Sequence, residues 1–275
     1  MTEMDREPLS RLLAKGFPAK DAEAWSGILS LLLRLADENG LPAPGFVLDA
    51  EGTLVGTLLT ILKPRERGPA QCNLSSWYVE PDYRSYAPLL VAAATRDKGM
   101  SYVNVSSQRH TRPTIEAQGF RRYADGLHIC FPLLALGAAD GMIVEGIEAP
   151  EGAAVDDLDR AVMRDHRDLD LLALWCVSDG CAYPFLFLPR RITRLNVPVA
   201  HLAFCRDVAD AARFARPLGR FLARRGYPAL LVDANGPIPG LPGRFFPDRM
   251  PKYARGPVMP RIGDLSYTEA AFFGA

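Results

Sequence analysis

The sequence predicts an α/β fold made of two successive copies of one unit. Three observations lead there. Runs with helical spacing alternate with short strand-like runs along the chain. The order of those runs in the first half returns in the second, and internal repeats are weighed before anything else. The chain has 275 residues, 48% hydrophobic and 23% charged. That is more than one typical domain and ample for a buried core, so disorder throughout is excluded.

Ala22, Trp25, Ile28, Leu29, Leu32, Leu33 and Leu35 recur at helical spacing over residues 19–39, and Asn39-Gly40 stops that helix. Two strand-like runs over residues 45–62 flank Ala50-Glu51-Gly52, which reads as a hairpin turn. Residues 72–79 form a strand closed by Pro81 and Asp82. A helix over 83–98 ends at Gly99, and a short buried strand covers 102–106. A short helix over 111–118 ends at Gly119, with two strands after it over 120–123 and 127–133. The composition then shifts to Gly, Ala and Asp, so the boundary falls between 136 and 154, with a short strand over 142–147 inside it. The expected domains are 1–135 and 136–275. The second half reads as a helix over 155–166, strands over 171–177 and 182–188 around Ser178-Asp179-Gly180, and a strand over 199–205. A helix over 208–225, a strand over 229–233 and a Gly/Pro-rich loop over 234–243 complete it.

An offset of about 127 residues lays Asn73–Tyr78 on Ala200–Cys205, Gly99 on Gly226, and Val103–Ser106 on Leu230–Asp233. Nearby offsets lay Glu51-Gly52 on Asp179-Gly180 and Arg122–Gly126 on Lys252–Gly256.

Thirty-two basic residues balance thirty-two acidic ones. There is no overall electrostatic footprint for nucleic acid or an anionic membrane. The five cysteines form no C-x-x-C pair, and no metal site is expected. Scattered thiols suit a reducing compartment. Met1–Pro8 has no apolar core of a signal peptide, and the longest early apolar run, 28–33, is too short to span a bilayer. A cytoplasmic protein without a membrane partner is expected, and its oligomeric state is not legible.

The stretch Val79-Glu-Pro-Asp-Tyr-Arg-Ser-Tyr-Ala-Pro-Leu-Leu90 carries the chemistry. A strand ends in Val-x-Pro-x-Tyr-Arg and a helix starts at once, which presents free backbone N–H groups and the positive end of the helix dipole to an anion. This stretch resembles the acyl-CoA-binding motif of the GCN5-related N-acetyltransferase superfamily, and the order of elements over Leu9–Leu133 is similar to that superfamily's.

The resemblance implies tandem units, each a mixed twisted sheet flanked by helices, and acyl transfer from acetyl-CoA or another acyl-CoA to a small-molecule or peptide amine. It makes Arg84, Ser85, Tyr86, Ala87 and Leu89 candidate cofactor contacts. The backbone amides near Tyr78 and Val79 would polarise the thioester carbonyl. Candidate catalytic side chains are Glu80 as a base acting through water, Tyr123 or Tyr78 as an acid, and Asn104 as a partner for a substrate amide.

The chain departs from the pattern. Ser85, Ala87 and Leu89 stand where the superfamily has glycines, Pro88 brings no N–H to the turn, and Ile115 stands where a tyrosine is frequent. These departures also fit a second reading, a catalytically inactive scaffold that binds a ligand or protein. A third, transfer from a charged tRNA, is disfavoured by the neutral charge. His110 sits in a loop with no carboxylate beside it in sequence. In the second half, Asp207 or Asp210 at the helix start reads as a cap, and the two acidic side chains would compete with a phosphate, so no cofactor site is expected there. Arg190, Arg191 and Arg194 form a small basic cluster, and the loop 235–243 could wall a cleft.

Overall fold

The computed structural model describes residues 6–136, 140–192 and 196–274. Arg194 lies outside them. Two compact units are present. One comprises the residues up to Asn104 together with Arg255–Met259. The other comprises Val105–Ala254 and the residues from Pro260 on. This division differs from the break near residue 136 expected from composition.

The first unit opens with α1 (Arg6–Gly16) and α2 (Ala22–Glu38). The Asp21 carboxylate caps α2 by accepting the Ala24 N–H at 2.8 Å. Leu9, Leu12 and Leu13 of α1 and Trp25, Leu29 and Leu32 of α2 are buried. Strands β1 (Gly45–Ala50), β2 (Thr53–Leu62), β3 (Gln71–Val79) and β4 (Ser101–Asn104) form a sheet in that order. The first two pairings are antiparallel and β3–β4 is parallel. A two-residue turn joins β1 to β2, with Glu51 and Gly52 both at positive φ, the geometry that matches sheet twist. The single helix expected over 83–98 is shorter and composite. A 3-10 turn over Pro81–Tyr86 precedes α3 (Ala87–Ala94). Pro88 permits only a first-turn position, and the Thr95 hydroxyl donates to Val91 O at 2.8 Å where the helix stops.

The second unit contains α4 (Arg112–Ala117), β5 (Arg121–Cys130), β6 (Met142–Glu145), α5 (Asp157–Asp165), β7 (Leu172–Ser178), β8 (Cys181–Ile192) and β9 (Val197–Cys205). It continues with α6 (Val208–Arg213), α7 (Ala215–Arg224), β10 (Ala229–Ala234), β11 (Gly243–Arg255) and α8 (Glu269–Phe273). Its strands run β11-β5-β10-β9-β8-β7-β6. Asp179 and Gly180 repeat the positive-φ turn between β7 and β8.

The structure corrects three expectations. The two strands expected over 120–133 are one strand, because Gly126 serves a close approach and not a turn: a Cβ there would lie 2.2 Å from Phe246 O on the neighbouring β11. The helix expected over 208–225 breaks at Phe214, three residues before Pro217, whose missing N–H cannot continue the ladder. The Gly/Pro-rich loop ends in a long strand, β11. The other expected elements are present within a few residues, and α1 is an element the sequence did not announce. Among the described residues, no helix is long and apolar enough to cross a membrane.

The second unit buries a row of ionisable groups. His201 Nε2 lies 3.4 Å from Asp233 Oδ1, and Lys252 Nζ lies 3.8 Å from the same oxygen while donating to Val105 O at 2.8 Å. Burial lowers the pKa of His201 against the pull of Asp233. Burial also opposes ionisation of Asp233, yet Lys252 and His201 beside it hold its pKa below the ordinary value.

These contacts can be tested through stability. The fully buried Asn73 side chain donates to Val103 O at 3.2 Å across β3 and β4. Asn73→Ala leaves that carbonyl short of a donor and lowers stability by about 1–3 kcal/mol, read as a lower urea midpoint. For His201, the folded state resists a proton that the unfolded chain accepts below its ordinary value of 6.5. Stability therefore falls as pH drops through that value, and Asp233 adds to the loss in the carboxylate range. Urea midpoints at several pH values check this, with a flatter profile expected for His201→Gln.

Candidate active site

The strands β3 and β4 pair only through Gln71–Ser101, Cys72–Tyr102 and Asn73–Val103. Beyond Asn73, β3 runs on to Val79, and among the described residues of this unit no strand pairs with that edge. A bulge sits in the unpaired stretch. Thr57 faces Tyr78 and Leu59 faces Ser75, so β3 carries one extra residue. Ser76 takes φ 49°, a left-handed conformation uncommon for serine.

The bulge decides where side chains go. Tyr78 lies on the same face as Ser75 and Asn73, while Trp77 and Val79 share the face of Cys72. In the parallel pair, Cys72 lies opposite Tyr102, so Asn104, two residues on, is on that face too. Tyr102 donates to Asp97 O at 3.0 Å, just after α3, which marks it as the α3 face. The backbone alternates likewise. Glu80 N–H donates to Val55 O on β2 at 2.8 Å. The Val79 N–H therefore points away from β2, into the opening, and the Tyr78 N–H points towards β2. Of the two backbone amides named from the sequence, Val79's is the one that faces the opening.

On the other face, α1 ends against β3. A Cβ on Gly16 would lie 2.4 Å from the Tyr78 ring, so only glycine fits beneath it. Lys15, one residue earlier, holds both carboxylate oxygens of Glu80, at 2.7 and 2.8 Å. Tyr78 OH donates to Glu80 Oε2 at 3.4 Å. The hydrogen bond to Glu80 raises the Lys15 pKa. Burial, then the Glu80 charge, pushes the Tyr78 hydroxyl up. Lys15, Glu80 and Tyr78 thus form one hydrogen-bonded group beside the end of β3.

Two polar atoms on the α3 face lack partners. Trp77 Nε1 and Asn104 Oδ1 are both buried with no hydrogen bond among the described residues. Arg84, Ser85, Tyr86 and Leu89 are exposed at the turn before α3, and Ala87 is half-buried. No side chain caps that helix start. Its donors are nonetheless few: Ala87 N–H already bonds Arg84 O, and Pro88 has none.

The structure brings together Glu80, Tyr78 and Val79, with Asn104 on the neighbouring strand of the same unit. Tyr123 belongs to the second unit, on β5. It is buried there, and burial, with Asp233 and Asp264 adding to it, raises its pKa well above 10. Ile115 is buried in α4, and His110 is exposed. Sequence reasoning missed Lys15, whose helix it did not contain, and Trp77, visible only as an aromatic beside the strand end.

The corresponding features of the second half are filled. One edge of β9 carries β8 as far as Cys205. The other carries β10, in parallel, only as far as His201. Residues 263–265 then take that edge: Cys205 N–H donates to Gly263 O at 3.0 Å, Leu265 N–H donates to Ala203 O at 2.7 Å, and Phe204 bridges to Asp264. The Asp207 carboxylate caps α6 by accepting the Ala209 N–H at 2.8 Å, as the sequence suggests.

Solved structures share this architecture. The GCN5-related N-acetyltransferase from Anabaena variabilis superposes with a TM-score of 0.59 at 12% identity, over 92% of this chain and 71% of that one. The chain has the fold of the GCN5-related N-acetyltransferases. A conserved protein of unknown function from Enterococcus faecalis gives 0.55 at 10% identity, over 96% and 72% of the two chains. Eis1 from Mycobacterium abscessus gives 0.51 at 12% identity, over 96% and 73%. No protein-family model matches the chain, and no curated protein matches it in sequence. At these identities the likeness to the acetyltransferase structures is one of fold.

The packing of α1 on β3 fixes Tyr78 against Gly16. Gly16→Ala forces the ring or α1 to move and costs about 1–3 kcal/mol, measurable as a lower thermal midpoint.

Proposed function

We propose that the protein transfers an acyl group from acyl-CoA to an amine, at the opening between β3 and β4. The observation that carries this is the contrast between the halves. The first half has an unpaired strand edge with an inward N–H and a helix start without a side-chain cap. In the second half residues 263–265 and Asp207 occupy the equivalent places. On this reading the chain is a tandem of two acetyltransferase-like copies, 1–135 and 136–275, with one donor site.

The residues divide the work by face. The donor thioester lies in the opening, where the Val79 N–H faces its carbonyl and stabilises the charge that develops on oxygen. Glu80, held by Lys15, accepts the proton of the attacking amine, directly or through water. The new C–N bond forms as the C–S bond breaks. Tyr78, hydrogen-bonded to Glu80, returns a proton to the departing thiolate. Asn104 contacts an amide of one substrate. Arg84 offers a cation at the turn, where Ser85, Tyr86, Ala87 and Leu89 leave room for only a few phosphate contacts. Tyr123, buried in the second unit, has no part in this scheme. The acceptor is a small-molecule or peptide amine, and the setting is cytoplasmic.

The test is acetyl transfer from acetyl-CoA to a panel of amines, with release of free thiol as the readout. Glu80→Gln is expected to lower kcat by about 100-fold while donor affinity holds. Lys15→Met lowers kcat less, and Lys15→Arg restores it. Thiol release that is unaffected by Glu80→Gln would remove the base from the scheme.

A further inference from the structure

We infer that the second unit carries a docking surface for an anionic phospholipid membrane, a role separate from acyl transfer. It is built from the outer face of α7 and the turn at Pro132–Leu134. Two observations support it.

The first is charge. Residues 211–232 contain five arginines and neither Asp nor Glu, so the zero net charge of the chain is an average over unlike regions. Arg213 is paired with Asp179, and Arg225 with Glu145. Arg216, Arg220 and Arg224 are exposed and make no hydrogen bond or ion pair among the described residues. They recur every four residues, a row about 12 Å long on one face of α7. Ala215, Leu218, Gly219 and Leu222 are buried on the other side of the helix, so the row points to solvent.

The second is apolar exposure beside that row. The 3-10 turn Pro132–Leu134 lies against α7, where a Cβ on Gly219 would come within 2.4 Å of Leu133 N. Phe131, Leu133, Leu134 and Leu136 are all exposed there, Leu134 by 65% and Leu136 by 93%. Single exposed leucines are ordinary. Four large apolar side chains within residues 131–136, beside unpaired cations, mark an interaction surface. No Asp, Glu, Lys or Arg occurs in residues 126–139.

A phospholipid surface satisfies both parts of this patch. Its phosphates meet the guanidinium groups, and its acyl region receives the leucines. A nucleic acid offers phosphates, but its bases stack on aromatic faces, and Phe131 is the one aromatic among those four side chains. At ten residues, α7 is too short to cross a bilayer, so this face lies on the membrane. Net charge alone predicts no membrane partner; the local distribution reverses that.

The test is co-sedimentation of the full chain with mixed phosphatidylserine–phosphatidylcholine vesicles and with pure phosphatidylcholine vesicles. Fluorescence polarisation with a polyuridylate oligomer is run at the same ionic strength. Binding to the mixed vesicles that falls as salt rises is expected, with little on the neutral ones. Arg216→Gln, Arg220→Gln and Arg224→Gln together should weaken it about 100-fold, about fivefold per cation. Leu134→Gln with Leu136→Gln should weaken it about tenfold at unchanged charge. Both sets alter exposed side chains, so urea midpoints should hold. Equal binding to both vesicles, binding to neither, or vesicle affinity unmoved by either set overturns the inference. So does RNA binding tighter than vesicle binding that only the arginine set abolishes, which makes the row a nucleic-acid surface. None of these residues enters the acyl-transfer scheme, so thiol release stands or falls separately.

Discussion

The first unit depends on two parallel strands that part company. Three residue pairs hold β3 to β4, and Asn73 adds a side-chain bond to Val103 O at the point where the ladder ends. Past it the strands diverge, and the bulge at Ser76 turns Trp77, Tyr78 and Val79 over by one face. Without the bulge, Tyr78 would fall on the α3 face and Trp77 beneath α1. With it, the Lys15–Glu80–Tyr78 group and the Trp77–Asn104 pair lie on opposite faces of one gap. A backbone irregularity of one residue therefore separates the proposed proton-handling groups from the buried polar atoms of Trp77 and Asn104.

Much of this was legible in the sequence because it is local. The turns at Glu51-Gly52 and Asp179-Gly180 announce themselves through residues that tolerate positive φ. The strand–turn–helix junction at Val79–Leu90 is visible from its proline, its arginine and the apolar spacing of the helix. Asp207 reads as a cap and is one. What stayed hidden is non-local. Lys15 meets Glu80 sixty-five residues away, and no pattern in either segment signals it. Gly126 looks like a turn residue, yet its reason lies on β11, more than a hundred residues later. Trp77 and Asn104 became notable only when their polar atoms proved partnerless.

The two halves show how one sequence of elements supports different outcomes. Both have a hairpin with a positive-φ turn, a strand that outruns its parallel neighbour, and a helix just after. In the first, the strand leads into an exposed turn and an uncapped helix. In the second, a carboxylate satisfies the helix start and a distant segment completes the strand. Buried charge also gathers in the second unit, where His201, Asp233 and Lys252 depend on one another for compensation. Desolvation offsets much of the attraction in such a row, while removing one member strands the others.

The segment that completes β9 has a consequence for synthesis. Gly263 comes 58 residues after Cys205. At a translation rate of about 5–20 residues per second, β9 leaves the ribosome roughly 3–12 s before the residues that cover its edge. During that interval its unpaired backbone groups are a template for any other extended chain. Late arrival of residues 263–265 thus leaves β9 open to wrong pairing for the whole of that interval.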